Sequence, residues 1–135
     1  MTKVSDWHDL SRVAFGDGPE LADELLALVL AGHKRATCWS AADGLLGASV
    51  GGRWVVEDSK GHPRAVVETV ELRERRFDDV DADFAAAEGE GDRSLAYWRD
   101  AHRRYFTRNG GFAPDMMLWC ERFVLIEVLE VSAPV

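Results

Sequence analysis

No apolar run in this sequence approaches the ~20 residues needed to cross a bilayer, so no membrane partner is expected. The opening stretch, MTKVSDWHDL, has no apolar h-region, and no signal peptide is expected. Cysteine occurs twice, at Cys38 and Cys120, too far apart for a zinc or redox motif. Both fall in strand-like segments, where the ordinary fate is a buried free thiol in a cytoplasmic protein. His8, His33, His62 and His102 form no metal-ligand pair. Also absent are a Walker loop, a GxGxxG after a strand, HExxH and GxSxG. No metal and no cofactor is expected. Basic charge is scarce: 16 Lys and Arg stand against 24 Asp and Glu, a net charge of −8. Proteins that live on nucleic-acid phosphates are usually basic. DNA is therefore not an expected partner, and a small polar ligand is at least as compatible as a short RNA.

What is present describes one globular domain. The 135 residues are 47% hydrophobic and 30% charged, a balance that buries a core and stays in water. No internal repeat and no Pro-, Gly- or Ser-rich linker divides residues 1–135, and the core is expected over about 15–130. FGDGPE at 15–20 reads as a helix start, with Asp17 or Gly18 as cap and Pro19 in the first turn. Leu21, Leu25, Leu28 and Val29 share one helical face, and Gly32 is the stop. RATCW reads as a short strand. RWVVED (53–58) and RAVVETVEL (64–72) read as a hairpin around SKGHP. Residues 80–88 predict a short helix and EGEGD (88–92) a flexible hinge. Asp92 or Ser94 would cap a second long helix with Leu95, Trp98, His102 and Tyr105 or Phe106 on one face. Residues 116–131 predict one or two final strands. The order implies an α+β domain with a small, curved or barrel-like sheet.

Three groups of residues carry possible chemistry. Lys34 and Thr37 follow the first helix. On an extended strand an odd separation sends side chains to opposite faces, so the two converge only if the chain turns at 32–35. Partial burial would then lower the lysine pKa and make it a base for the threonine hydroxyl. The plain alternative is a lysine opposing the helix dipole and a threonine filling a strand. Glu88 ends an alanine-rich segment, where burial could raise its pKa for proton exchange. Glu90 and Asp92 lie close by, but two glycines disfavour a fixed cation site. The helix YWRDAHRRYFTR (97–108) holds Arg99, His102, Arg103, Arg104 and Arg108 among aromatics. Arginine grips phosphate and aromatics stack on bases; the plain alternative is an amphipathic helix with its arginines in water.

Taken together, FGDGPELADELLALVLAGHKRATCW, VGGRWVVEDSKGHPRAVVETVEL and FAAAEGEGDRSLAYWRDAHRRYF resemble the ASCH domain of the PUA-like superfamily. A helix ending in G-x-K-x-x-T and the run E-G-E-G-D-x-S-L-x-x-W-x-x-x-H, Glu88 to His102, are its most specific marks, the latter of one bacterial branch. The resemblance implies a PUA-like fold, a small curved β-barrel with flanking helices, and a link to RNA or modified nucleosides. One branch of that family consists of amidohydrolases of N4-acetylcytidine. Their lysine and threonine of K-x-x-T and glutamate of A-x-x-E correspond to Lys34, Thr37 and Glu88. Other ASCH proteins bind RNA, and at least one is a ribonuclease. This chain is longer than the amidohydrolases. It carries Cys38-Trp39 where that branch has an arginine.

The leading expectation is a metal-free hydrolase of an acylated nucleoside or related small amide. Lys34 would be base, Thr37 nucleophile or orienter of water, and Glu88 proton shuttle. Trp39 would stack on a base, with Arg99 or Arg103 at the rim. Backbone N–H groups of residues 32–34 would be the oxyanion donors. The alternatives are an RNA-binding module without catalysis and a ribonuclease on single-stranded RNA.

Overall fold

The structure, a computed structural model, describes residues 7–130. The expectations for residues 1–6 and 131–135 lie outside them. Five strands, β1 (Arg12–Val13), β2 (Ala36–Ser40), β3 (Arg53–Glu57), β4 (Pro63–Arg76) and β5 (Met117–Val128), form one mixed sheet in the order β1-β3-β4-β5-β2. Only β1 and β3 are parallel. Among the described residues there are three α-helices: α1 (Pro19–Leu30), α2 (Ala82–Glu88) and α3 (Leu95–Arg108). Among the described residues no helix is long and apolar enough to cross a membrane.

The α+β class is as expected, but the sheet is not a closed barrel. β1 and β2 are its two edges and do not pair with each other. β1 has only two residues, too few to bridge the gap. The space between the edges is a cleft, lined by Val13, Ala14 and Phe15 on one side and Thr37 and Trp39 on the other. Curvature comes instead from the long β4–β5 pair, whose register slips at Val66/Val67 and Thr69/Glu71. Bulges of this kind bend a strand and sharpen its twist.

Each face of the sheet has its own core. α1 buries Ala22, Leu25, Leu26 and Val29 against Val56, Ala65, Val67, Phe123 and Phe15. Fully burying one such aliphatic side chain stabilises by ~1.5–3 kcal/mol, so this stripe is what anchors the helix. The other face carries Ala36, Leu118 and Cys120 beneath Phe84, Ala85, Ala87, Trp98 and Phe106 of α2 and α3. Both helices start on side-chain caps: Asp81 accepts from Phe84 N, and Ser94 from Tyr97 N. At α1 the cap is Gly18 without a side-chain bond, and Asp17 instead binds Arg108 and Asn109. β4 runs past the expected Leu72 to Arg76, because β5 pairs with it as far as Met117. The charged ELRERR stretch hid that continuation.

Candidate functional site

The site is assembled by backbone contacts. After α1, Gly32 takes a left-handed φ of +80°. The N–H groups of His33 and Lys34 then both donate to Leu28 O, at 2.9 and 3.1 Å. Arg35 N donates to Ala87 O at 2.7 Å, and Arg35 O accepts from Phe123 N at 2.9 Å. The helix exit is thus clamped between the end of α2 and β5. Gly89 completes the clamp: its φ is +76°, and a Cβ there would stand 2.2 Å from His33 O. Only glycine allows this approach. The chain turns at 32–35, as convergence of Lys34 and Thr37 requires, and both residues line the cleft.

Lys34 is the hub. It is 2% exposed, and its Nζ donates to Ala36 O at 2.8 Å, Glu88 Oε1 at 2.9 Å and Glu90 Oε2 at 3.0 Å. The Phe15 ring lies 5.2 Å away, within cation–π reach. An ammonium has three protons, and all three have partners. Burial alone would drive the group toward neutrality, yet Glu88 and Glu90 outweigh it and hold its pKa above the ordinary 10.5. This corrects the expectation of a lysine with lowered pKa: the two carboxylates at its head fix the charged form.

Glu88 is equally committed. Its Oε2 accepts from Trp98 Nε1 at 2.7 Å and lies 3.2 Å from His102 Nε2. Burial works against its charge, but Lys34 and His102 prevail and hold the carboxyl well below its ordinary 4.5. The expectation of a raised pKa is therefore also corrected. His102 stacks on Trp98 at 4.3 Å. Its Nδ1 lies 2.9 Å from Trp98 O, and its Nε2 faces Glu88, so both ring nitrogens meet acceptors. Only imidazolium satisfies both. Burial opposes that charge, and the Glu88 carboxylate overrides it, raising the histidine pKa above 6.5. Lys34 and His102 thus balance the charges of Glu88 and the half-buried Glu90.

Cys38, Glu88 and His102 bring potential metal-ligand atoms within 4.8 Å of one another. The donor set fits a cation poorly. Glu88 is engaged by Lys34 and Trp98, His102 by Trp98 O, and the Cys38 thiol is pushed far up by burial and by Glu88. Zinc needs deprotonated thiolate and neutral imidazole. Cys38 and Cys120 are free and directly opposite each other in the β2–β5 register. The EGEGD segment is an ordered turn, with Glu90 O accepting from Arg93 N at 2.9 Å and Asp92 from Ser94 N at 2.9 Å.

The cleft beside this cluster has a volume of about 470 Å³, the size of a small-molecule site. Trp39 lines it, with its indole N–H fixed on Gly44 O at 2.8 Å. Arg99 and Arg103 do not line it. Arg104 and Arg108 do, together with Tyr97, Ala101 and Tyr105, which share their helical face at i, i+4 spacing. The backbone donors expected at 32–34 are spent inside the fold: Gly32 N on Val29 O, His33 N and Lys34 N on Leu28 O. Deeper in the cleft, Trp54 Nε1 donates to Thr69 Oγ1 at 3.1 Å, and Thr69 donates to Glu121 Oε2 at 2.6 Å. The sequence reading did not single out these three. Of the cluster it missed the roles of His102 and Trp98, although their i, i+4 spacing within the Glu88-to-His102 run was a usable signal.

Fold and cleft together define an α+β module with a ligand-sized opening between its sheet edges. The ASCH domain family model matches residues 11–127. The chain belongs to the ASCH family, PUA-like modules of the RNA-binding kind. It is similar to the ASCH domain from Lactobacillus crispatus JV V101, with 34% identity over 89% of this chain and 81% of that one, at TM-score 0.80. A protein of Enterococcus faecalis V583 is 29% identical over 87% and 77% of the two chains, at TM-score 0.78. A hypothetical protein, PH0355, shares the fold at 14% identity and TM-score 0.59, over 77% and 93%. No curated protein matches.

Proposed function

We propose that the cleft takes a nucleoside-sized ligand and that the chain hydrolyses an acyl amide on its base. The observation that carries this reading is the buried Lys34–Glu88 pair lying beside Thr37 in an aromatic-walled cleft. Trp39 offers a flat wall for a base, since its N–H is already fixed and its ring is left to stack. Lys34 stays charged and acts as a fixed positive field for the oxygen that becomes an oxyanion, a use of preorganised charge that needs no proton transfer. Glu88 and His102 hold that ammonium in place. Thr37 is the nucleophile; its hydroxyl has no hydrogen bond to any described residue and faces the cleft.

Incubation with a panel of acylated nucleosides, scored by product mass, tests the reading. Wild type should release the free base amine and the acid, and Thr37→Val should not. One observation favours the rival, an RNA-binding module without catalysis: every buried charge of the cluster already has its partner. On that reading no member of the panel turns over, and a short RNA binds.

A further inference from the structure

A nucleophilic threonine needs a base, and Lys34, with all three protons engaged, is not available for that work. Another acceptor lies beside Thr37 on the neighbouring strand of the same sheet face. In the β2–β5 ladder Thr37 stands directly across from Glu121. Directly opposed residues point to the same face with Cβ atoms ~4.5–5.5 Å apart, and both line the cleft. Glu121 is 3% exposed. Its Oε2 is occupied by the Thr69 hydroxyl. That hydroxyl donates to Glu121 while its oxygen accepts from Trp54 Nε1. In this arrangement Oε2 is an acceptor, as the ionised carboxylate requires. Oε1 has no partner among the described residues.

We infer that Glu121 is the proton acceptor for the Thr37 hydroxyl, exchanging the proton at Oε1. This rests on the hydrolytic reading above. Thr37 Oγ1 bonds to the acyl carbon as its O–H breaks, the proton passes to Glu121 Oε1, and the carbonyl pair moves onto oxygen. As the intermediate collapses, the C–N bond breaks and the leaving amine takes the proton from Glu121. Water then adds to the acyl-threonine, giving its proton to Glu121. Thr37 departs as a hydroxyl with that proton, and the acid is released.

The surroundings suit the task. Burial raises the Glu121 pKa above the ordinary 4.5, and only the Thr69 hydrogen bond works against that. Among the described residues no cation pairs with it. Lys34, Glu88, Glu90 and His102 pair among themselves. Of the arginines at the cleft, Arg53 pairs with Glu68, Arg104 with Asp100 and Arg108 with Asp17. Thr37 from β2, Thr69 from β4 and Trp54 from β3 are its uncharged neighbours, and Tyr97 and Tyr105 of α3 are the phenols that line the same cleft.

Glu121→Gln keeps an oxygen for the Thr69 bond and so tests the proton rather than the fold. With a hydrolysed substrate, kcat/KM of wild type should fall on the acid side through a pKa above 4.5. Glu121→Gln should lose about 100-fold or more and lose that limb, and Glu121→Asp should recover part of both. A Gln variant within threefold of wild type, with the limb intact, overturns the assignment. A second measurement is independent of turnover: carbon-13 titration of the glutamate carboxyls, with the Glu121 signal identified by its absence in Glu121→Gln. Its midpoint should lie above 4.5 and rise further in Thr37→Val, where a methyl group replaces the hydroxyl beside the carboxylate and desolvates it further. A midpoint at or below 4.5, or one unmoved by Thr37→Val, overturns the assignment. If wild type turns over no acylated nucleoside, the hydrolytic reading falls by itself, and the titration decides the Thr37–Glu121 pairing alone.

Discussion

Lys34 Nζ lies 2.9 Å from Glu88 Oε1, across 54 residues of sequence, with both side chains at most 2% exposed. Two charges this deep lose their hydration. Their attraction offsets that loss only because the remaining ammonium protons and the second carboxylate oxygen are also used, through Ala36 O, Glu90, Trp98 and His102. Such a pair contributes little net stability against an apolar substitute, but removing one member leaves a buried uncompensated charge.

Lys34→Met should therefore destabilise the fold by about 3–5 kcal/mol. Lys34→Met combined with Glu88→Gln should cost less than the sum of the two single changes. Urea unfolding of the four proteins measures both. A Lys34→Met protein as stable as wild type would show that the ammonium is not held as described. From the sequence alone a lysine at a helix exit contributes little core area, and on that view its loss would leave the fold intact.

The cluster also sets a pH window. The Glu88 pKa is lowered by folding, so its contribution is present above the unfolded value near 4.5 and is lost as pH falls toward the lower folded value. The His102 pKa is raised, so its contribution is full below about 6.5 and is lost as pH rises through the folded value. Stability from these two groups is greatest between about 4.5 and 6.5. His102→Gln should flatten the decline on the alkaline side and weaken the acid side without removing it, because Lys34 and Trp98 still hold Glu88 charged. Thermal unfolding across pH 4 to 9 reads this; an alkaline limb that is unchanged in His102→Gln contradicts a charged His102.

Helical and strand periods made α1, α3 and the β3–β4 hairpin legible, because each buries one face and the apolar residues repeat accordingly. Lys34, Thr37, Glu88 and Trp39 were legible as cleft residues, mostly through the family resemblance. The protonation states were not. A lysine and a glutamate each read as isolated groups that burial would neutralise, whereas the fold brings them together, and each then stabilises the charge of the other. The open sheet was hidden for a similar reason: edge pairing depends on where β1 and β2 end in space. Glu121 carried a faint signal, an acid at strand spacing from Trp119 and the buried Phe123.

Gly89 and Gly32 offer a controlled comparison. Both have left-handed φ, +76° and +80°, and alanine there costs ~1–2 kcal/mol for conformation alone. At Gly32 a Cβ meets nothing within 4 Å, whereas at Gly89 it meets backbone at 2.2 Å. Gly32→Ala should stay within that conformational cost. Gly89→Ala should exceed it and should also disturb the Lys34 site, visible as altered Trp98 fluorescence or ligand binding. Equal effects of the two changes would mean that the clamp on His33 is loose.

Glu90 is the exposed member of the cluster, with 20% of its side chain open against 1% for Lys34. It covers the one Lys34 proton that a ligand could reach. Glu90→Ala should cost at most about 1 kcal/mol, since a partly solvated partner contributes little. It should also tighten binding of a nucleoside bearing an exocyclic carbonyl by severalfold, because the freed ammonium proton then meets the ligand oxygen. Calorimetric titration checks this. Weaker binding in Glu90→Ala would make Glu90 a ligand-holding group instead of a cover.

Salt separates a nucleoside site from an RNA track. Neutralising Z phosphates on a single strand gives a log–log slope of about −0.7Z. Arg103 and Arg104 share Asp100, and Arg108 is paired with Asp17, which leaves Arg99 as the arginine of α3 without an acidic partner among the described residues. A net charge of −8 also repels a polyanion at long range. Nucleoside affinity should therefore be nearly flat with salt and should depend on Trp39. RNA affinity, where measurable, should show a slope shallower than about −2, which corresponds to fewer than roughly three phosphates. Titrating one short RNA and one acetylated nucleoside at low and moderate salt decides it. A steeper RNA slope that flattens in each of Arg99→Ala, Arg103→Ala, Arg104→Ala and Arg108→Ala, with no nucleoside bound, would replace the hydrolytic reading with an RNA-binding one. Phosphates would then have displaced Asp100 and Asp17 from their arginines.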